Sequence, residues 1–338
     1  MKEIFLASLT PMLSLFFFMA IGFILVKTKV LPENASKVMA KLLTFVFSPA
    51  LSFYSMSKNF NIESIGKYAS LFILGSIAVI LAVIISTFIS KFFVKDKEAY
   101  ERGIYKYALA MGNYGYMGAP LVIALFGLEG YMNFSFVTLP CYVVIYTWGI
   151  NALVPKTQQK PTLKDSLKRF FNLPTIGLLL GILTGITGLG RVIHQSTALV
   201  FFTDCLNDLG SCMAPVAMLL AGVTVAKYDF KKMITNKKVY YASALRLIFI
   251  PSLLLGVMFG IMSLANLIGI ELDNAFLFLA FFVYATPLGM NTIVFPEAFG
   301  GDPSIGAGLT LVSHVVCVIT IPFMFALLSV LFGPLPIF

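Results

Sequence analysis

The hydrophobic residues of this chain fall into long runs that short polar connections separate. A helix needs ~20 consecutive apolar residues to cross a hydrocarbon layer that is ~30 Å thick, and the runs have about this length. The pattern therefore predicts ten transmembrane helices, which we number as spans 1 to 10. Their predicted bounds are 4–26, 38–56, 67–93, 103–127, 131–154, 173–190, 205–226, 239–265, 274–298 and 306–333.

The composition makes the lipid bilayer the solvent for most of this surface. Of the 338 residues, 59% are hydrophobic and 12% are charged, and the mean hydropathy is +0.93. Soluble domains carry about 25% charged residues, and a globular core has no room for so much apolar surface. The sequence therefore predicts an all-α polytopic membrane protein.

Basic residues indicate which way the chain crosses the membrane. They cluster in the first, third, fifth and seventh connections, whereas the even-numbered connections carry only Lys58, Lys67 and Arg191. Cytoplasmic loops are enriched in lysine and arginine, so we expect both termini outside and the loop 155–171 in the cytoplasm. The ninth connection is not basic and departs from this rule. The net charge of +9 thus reflects orientation in the cell membrane, and we expect no nucleic-acid partner.

The loop 155–171 divides the chain into two parts of five spans each. An odd number of spans reverses direction, so the second part enters the membrane from the opposite side, as in an inverted repeat. Short similarities support this: "FSPALSF" in span 2 resembles "MAPVAML" in span 7, and "ALFG" in span 4 resembles "EAFG" in span 9. We expect a first repeat at 1–154, a cytoplasmic linker at 155–171 and a second repeat at 172–338.

Spans 4 and 9 contain glycine- and proline-rich interruptions. Span 4 reads "AMGNYGYMGAPLV" at 110–122, and span 9 contains "ATPLGMNTIVFP" at 285–296. Each glycine costs a helix ~1 kcal/mol relative to alanine, and Pro287 removes a backbone donor. Paired weak points in corresponding spans are the best sequence pointer to a transporter's binding site. The pattern predicts two broken crossover helices.

Such a crossing suits a small anion. The first amides of each half-helix lack intrahelical acceptors and carry partial positive charge, and asparagine amides add donors without fixed charge. The alternative is a pair of packing kinks, with Tyr114 and Tyr116 as packing or lipid-facing aromatics. The candidate substrate-binding residues are Gly112, Asn113, Tyr114, Gly115, Pro287, Gly289 and Asn291. The candidate facing wall consists of Ser48, Pro49, Met213 and Pro215.

Ionisable residues inside membrane spans are functional candidates, and here they are scarce. None of the fifteen Asp and Glu residues lies near the middle of a predicted span. Arg246 in span 8 either snorkels to the cytoplasmic end or contacts the anion. His314 in span 10 either relays protons or is a hydrogen-bonded structural residue. The four cysteines form no metal-ligand spacing, and we expect neither a metal nor a cofactor.

Several motifs resemble those of the auxin efflux carrier family, which includes plant PIN-type exporters and bacterial malate or malonate permeases. They are "FVFSPALSF" (45–53), "GNYGYMGAPLVIALFG" (112–127), "NLPTIGLLLGILTG" (172–185), "APVAMLLAG" (214–222), "LRLIFIPSLLLG" (245–256) and "ATPLGMNTIVFPEAFG" (285–300). PIN-type proteins carry Pro-Asn in span 4 and a Pro-Gln-like pair in span 9. Asn113 matches the first pair, whereas Leu288 departs from the second, so Asn291 is inferred from its position alone.

The resemblance implies a homodimer in which spans 1, 2, 6 and 7 form a scaffold. Spans 3–5 and 8–10 would then form a transport domain that moves as an elevator. Gly177, Gly181 and Gly185 recur every four residues along span 6. Such a stripe of small residues allows helices to pack closely, either within one subunit or between two.

We therefore expect a secondary transporter of small organic anions, such as malate, malonate or auxin-like acids, that works by efflux or uniport. Proton- or sodium-coupled carboxylate uptake is the alternative. An anion channel would need a ring-forming charged motif, and its flux would not saturate at low turnover. A membrane enzyme or sensor would need a catalytic motif such as H-E-x-x-H or G-x-S-x-G. The sequence contains neither kind of motif, so we expect no enzyme.

Overall fold

The structure, a computed structural model, describes residues 2–32, 34–94, 99–155, 162, 164, 170–227, 235–298 and 300–333. Within these residues the regular elements are helices, which confirms the all-α prediction. Seven helices are long and apolar enough to cross a membrane, and an eighth crossing results if two helices joined by a 94° bend form one. The predicted linker at 155–171 lies largely outside the described residues.

The helices are numbered in chain order. They are α1 (Lys2–Lys27), α2 (Ala35–Asn59), α3 (Ile65–Phe93), α4 (Ala99–Ala110), α5 (Tyr114–Leu153), α6 (Leu173–Ile186), α7 (Leu189–Gln195), α8 (Val200–Ala226), α9 (Lys237–Leu267), α10 (Ala275–Tyr284), α11 (Asn291–Ala298) and α12 (Ser304–Phe332). Span 6 was predicted to end at residue 190. Its helix α6 ends earlier, because Gly188 adopts a left-handed conformation and the chain bends into α7.

Helix α5 folds back on itself at Gly127. Its 40 residues would extend ~60 Å as a straight helix, twice the hydrocarbon thickness. The rings of Tyr114 and Tyr142 nevertheless lie 5.8 Å apart, whereas a straight helix would separate these residues by ~42 Å. Gly127 has non-helical angles (φ 67°, ψ −167°) that suit glycine. The first leg, 114–126, and the second leg, 128–153, therefore form a hairpin where the sequence separates spans 4 and 5.

Two helical paths are interrupted inside the molecule. The chain leaves helical geometry between α4 and α5 at residues 111–113, and between α10 and α11 at residues 285–290. Both interruptions lie in the segments that the sequence predicts. Every residue of α10 is buried, so this wholly apolar helix is surrounded by other helices rather than by lipid. The interruptions therefore lie in the centre of the core.

The glycine stripe of α6 packs within the subunit. A Cβ on Gly177 would lie 2.7 Å from the carbonyl oxygen of Pro49, and one on Gly181 would lie 2.9 Å from that of Phe53. Helices α2 and α6 thus touch through their backbones. Helices α1 and α8 approach each other in the same way, at Gly222. The stripe therefore packs inside one chain, which is the first of the two alternatives for it.

Candidate functional site

The two interruptions meet and pair with each other. Gly112 and Leu288 form an isolated antiparallel bridge, and the amide of Asn113 donates to the carbonyl oxygen of Pro287 at 2.7 Å. A Cβ on Gly289 would lie 3.1 Å from the oxygen of Gly112. Unwound backbone within a membrane needs such partners, because lipid offers none. The pairing fixes the two broken helices against each other at one point.

Arg246 binds the C-terminal ends of both half-helices that lead into the crossing. Its Nη1 donates to the carbonyl oxygens of Leu109 and Ala110, at 3.0 and 3.1 Å. Its Nη2 donates to that of Val283 at 2.9 Å, and Nε donates to that of Thr286 at 3.4 Å. The last carbonyls of a helix lack intrahelical donors, and each helix end carries roughly half a negative charge. One guanidinium therefore balances two helix ends.

This geometry differs from both roles that the sequence suggested for Arg246. The side chain is fully buried, so it does not snorkel, and four of its five donors bind backbone carbonyls. It does not line the central cavity described below. A Cβ on Gly112 would collide with Nη2 of Arg246. The glycine that precedes Asn113 is therefore required by the guanidinium beside it.

Each crossover asparagine is held by a side chain from another part of the chain. The Asn113 amide Nδ2 lies 3.1 Å from His314 Nε2, and His314 Nδ1 lies 2.7 Å from the carbonyl oxygen of Thr310. Because a carbonyl only accepts, Nδ1 carries the proton and Nε2 accepts from Asn113. Asn291 Nδ2 donates to the hydroxyl of Tyr107 at 2.8 Å. His314 is therefore hydrogen-bonded through both ring nitrogens, which matches its structural alternative.

The N-terminal ends of the other two half-helices meet at one cavity. The backbone amides of residues 114–116, at the start of α5, and of residues 290 and 291, at the start of α11, have no acceptor within the described residues, whereas the amide of Gly289 faces Met111 in the antiparallel bridge. Such amides carry partial positive charge and bind anions. All six residues line or adjoin the same space, whereas Arg246 does not line it.

This space, the central cavity, has a volume of about 130 Å³, roughly ten times the ~10–15 Å³ that one water needs. Its lining residues are Leu43, Thr44, Ser48, Gly112, Asn113, Tyr114, Gly115, Tyr116, Tyr142, Ile145, Tyr146, Asn172, Pro174, Met213, Gly289, Met290 and Asn291. None of these is charged. The Tyr114 hydroxyl is buried and has no partner among the described residues.

Most of the predicted site residues line the central cavity, and some do not. Those that do are Gly112, Asn113, Tyr114, Gly115, Gly289, Asn291, Ser48 and Met213. Those that do not are Pro287, Pro49, Pro215, Arg246 and His314. Pro287 contributes to the crossing through its carbonyl, and Pro49 contacts Gly177 on the far side of α2. Pro287 and Pro49 thus position backbone near the cavity without forming its wall.

Four π-helical turns supply much of the site. They are Leu43–Phe47, Tyr114–Gly118, Ile145–Gly149 and Leu245–Phe249. The first three contribute lining residues, and the fourth carries Arg246. Such turns are rare and often occur at functional sites. Composition does not reveal such turns, so the lining residues Thr44 and Tyr146 were not predicted. Tyr142, which lies just before the third turn, was not predicted either, whereas Asn172 and Pro174 lie in the "NLPTIG" motif.

Comparisons with known proteins agree with a role in transport. The model of a family described as "Membrane transport protein" matches residues 7–325. An uncharacterized transporter of Methanocaldococcus jannaschii is 24% identical over 204 residues, which are 60% of this chain and 64% of that protein. The match thus spans less than two thirds of the relative's length. Because the family model covers almost the whole sequence, the chain belongs to the membrane transport protein family, to which the auxin efflux carriers also belong.

Proposed function

We propose that this protein is a secondary transporter that carries small organic anions, such as malate, malonate or auxin-like acids, across the cell membrane. The observation that carries the proposal is the central cavity, where the N-terminal ends of α5 and α11 present unpartnered amides. Membership of a transport family supports movement of the ligand rather than chemistry on it. Because these donors carry no full charge, they can bind an anion and still release it from the cavity during transport.

The charge of the cavity suits one carboxylate group of the ligand. Two helix N-termini contribute roughly half a positive charge each, and no charged side chain lines the space. Arg246 does not line the cavity, and its hydrogen bonds go to carbonyls at the ends of the two half-helices that lead into the crossing. Carboxylates of the proposed class have oxygens that accept from backbone amides and from the Asn113 side chain.

We further propose ten crossings in two inverted repeats, 1–154 and 172–338. In this arrangement α4 with the first leg of α5 is span 4, α10 with α11 is span 9, and α6 continues into α7. The supporting observation is the packing of α1 on α8 and of α2 on α6, since an inverted repeat exchanges these two pairs. Length alone yields fewer crossings, because the broken helices are short and α5 counts once.

The proposed mechanism is an elevator movement with the cavity between its two parts. The scaffold would comprise α1, α2, α6 and α8, which supply Ser48 and Met213 to the wall. The transport domain would carry Asn113 and Asn291. Both termini would lie outside the cell. For each negative charge, an anion that leaves a negative-inside cell gains ~2.3 kcal/mol per 100 mV, and this gain favours efflux or uniport.

Uptake into proteoliposomes tests the function directly. Labelled malate, malonate and indole-3-acetate would be offered with membrane potential and pH gradient imposed separately. We expect saturable flux that follows the potential, and an apparent affinity at least ~10-fold lower in Asn113→Ala, because a hydrogen bond to a charged group contributes ~1.5–3 kcal/mol.

The matched control is Asn151→Ala. Asn151 is exposed and its Nδ2 donates to the carbonyl oxygen of Thr147, outside the cavity, so this variant should transport like the wild type. Wild-type affinity in Asn113→Ala would refute the crossing as the site. No flux of any of the three anions would refute the proposed substrate class.

A further inference from the structure

An apolar groove lies between helices α1, α8 and α12, away from the crossing. Its volume is about 270 Å³, compared with about 130 Å³ for the central cavity, and the two share no lining residue. Its walls come from α1 between Phe16 and Ile24, from Gly222 and Val225 of α8, and from Leu311 and Val315 of α12. All of these lining residues are apolar. Apolar cavities stay free of water and take up apolar molecules, so the groove suits a hydrocarbon occupant.

The groove is elongated along α1 and opens towards the bilayer. Its lining on α1 extends from Phe16 to Ile24, a rise of ~12 Å along the helix axis. Ile24 on α1 and Val315 on α12 are both exposed at the molecular surface, and in a membrane such a surface contacts lipid. An elongated apolar groove that lipid can enter from the side has the shape that one acyl chain requires.

Two lysines lie at one end of this groove. Lys27 is the last residue of α1, and its Nζ lies 5.6 Å from the centre of the Phe23 ring, which lines the groove. Lys227 directly follows α8. These two helix ends are adjacent, because Val26 and Val223 belong to the same buried cluster. Neither lysine forms an ion pair within the described part of the chain. The apolar groove therefore ends beside two ammonium groups.

We propose that the groove binds an anionic phospholipid of the surrounding membrane, with one acyl chain in the groove and the phosphate beside Lys27 and Lys227. Lysines at the ends of transmembrane helices reach the headgroup layer and attract anionic lipids. A zwitterionic lipid would fill the apolar part equally well, but it would bring no net charge to the lysines. In the proposed mechanism α1 and α8 belong to the scaffold and α12 to the transport domain, so the bound chain would touch both parts.

The lipid site is separate from the anion cavity, so its test needs no transport substrate. Bromine quenches tryptophan fluorescence on contact, and Trp148 is the single tryptophan of the chain. In a Trp148→Phe background, Phe16→Trp places a fluorophore in the wall of the groove. The protein would be reconstituted in phosphatidylcholine vesicles in which brominated phosphatidylglycerol or brominated phosphatidylcholine replaces an increasing fraction of the lipid. We expect half-maximal quenching at a mole fraction at least ~5-fold lower for the phosphatidylglycerol.

The matched control is Phe17→Trp in the same background. Phe17 is the next residue of α1, but it is 63% exposed and does not line the groove. Bulk lipid should therefore quench this variant equally with either brominated lipid. In the Phe16→Trp protein, the further replacements Lys27→Gln and Lys227→Gln should remove the preference for phosphatidylglycerol.

Three results would overturn the proposal. Equal quenching of the Phe16→Trp protein by both lipids would show that the groove holds bulk lipid without selection. Absence of quenching by either lipid would show that something other than an acyl chain fills the groove. An equal preference for phosphatidylglycerol in the Phe17→Trp control, or one that survives both lysine replacements, would show that the lysines beside the groove do not select its occupant.

Discussion

At the scale of single residues, Arg246 is the charged side chain that binds both helix ends at the crossing. Its four hydrogen bonds join segments that lie far apart in the chain. Nothing in one sequence shows such a contact, because arginine in a membrane helix has several possible partners and the carbonyls that bind it carry no side-chain signature. Sequence reasoning thus found the residue and could not find its role.

Two replacements of Arg246 should destabilise the crossing to different degrees. Arg246→Lys keeps the charge, but an ammonium lacks the planar fork that reaches both helix ends, so we expect a lower unfolding midpoint in detergent. Arg246→Gln also removes the charge and should lower it further, with a loss of ~3–5 kcal/mol. Arg191→Gln is the control, since Arg191 is exposed on α7. Equal midpoints for the wild type and Arg246→Gln would contradict the capping role.

His314 should act through Asn113 rather than through protons. His314→Gln retains an oxygen that can accept from the Asn113 amide, so flux and its dependence on pH should stay close to those of the wild type. His314→Leu leaves that buried amide unpaired, at a cost of ~1–3 kcal/mol, and should lower substrate affinity. The measurement is the pH profile of uptake in both variants. A pH dependence that disappears in His314→Gln would instead identify a proton relay.

At the scale of helices, the interruptions at Gly112, Gly127 and Pro287 were predictable, whereas the bend at Gly188 and the contacts between helices were not. The interruptions at Gly112 and Pro287 follow from local backbone chemistry, and so does the reversal at Gly127. The bend between α6 and α7 and the four π turns were missed. A π turn adds one residue to a helix whose composition stays the same, so hydrophobic periodicity does not reveal it.

The reversal in α5 should depend on glycine at position 127. Its angles, φ 67° and ψ −167°, lie in a region that is essentially open to glycine alone, and a side chain there costs ~1–3 kcal/mol. No atom lies within 4 Å of a Cβ placed on Gly127, so Gly127→Ala tests backbone strain without a clash. Its unfolding midpoint should fall.

Gly256→Ala provides the comparison for this change. A Cβ on Gly256 also meets no atom within 4 Å, but this residue lies inside helix α9. Alanine is favoured over glycine there by up to ~1 kcal/mol, so the midpoint should stay constant or rise. If both alanine variants behave alike, the conformation at Gly127 does not limit stability.

At the scale of the whole molecule, two clusters of buried residues test which helices move together. Val225 of α8 shares a cluster with Leu311 of α12, and these two helices belong to different parts of the proposed elevator. Val223, also of α8, shares a cluster with Val26 of α1, and both of these helices belong to the scaffold. Neither pair lines the central cavity.

Cysteine pairs at these positions should therefore affect transport differently. In a background without the four native cysteines, Val225→Cys with Leu311→Cys, bridged by a mercuric ion, ties the scaffold to the transport domain and should stop uptake. Val223→Cys with Val26→Cys ties two scaffold helices and should leave uptake unchanged. A thiol reagent that removes mercury should restore the first variant. Full uptake by the bridged first pair would show that α8 and α12 keep their relative position during transport, and that the protein works without an elevator.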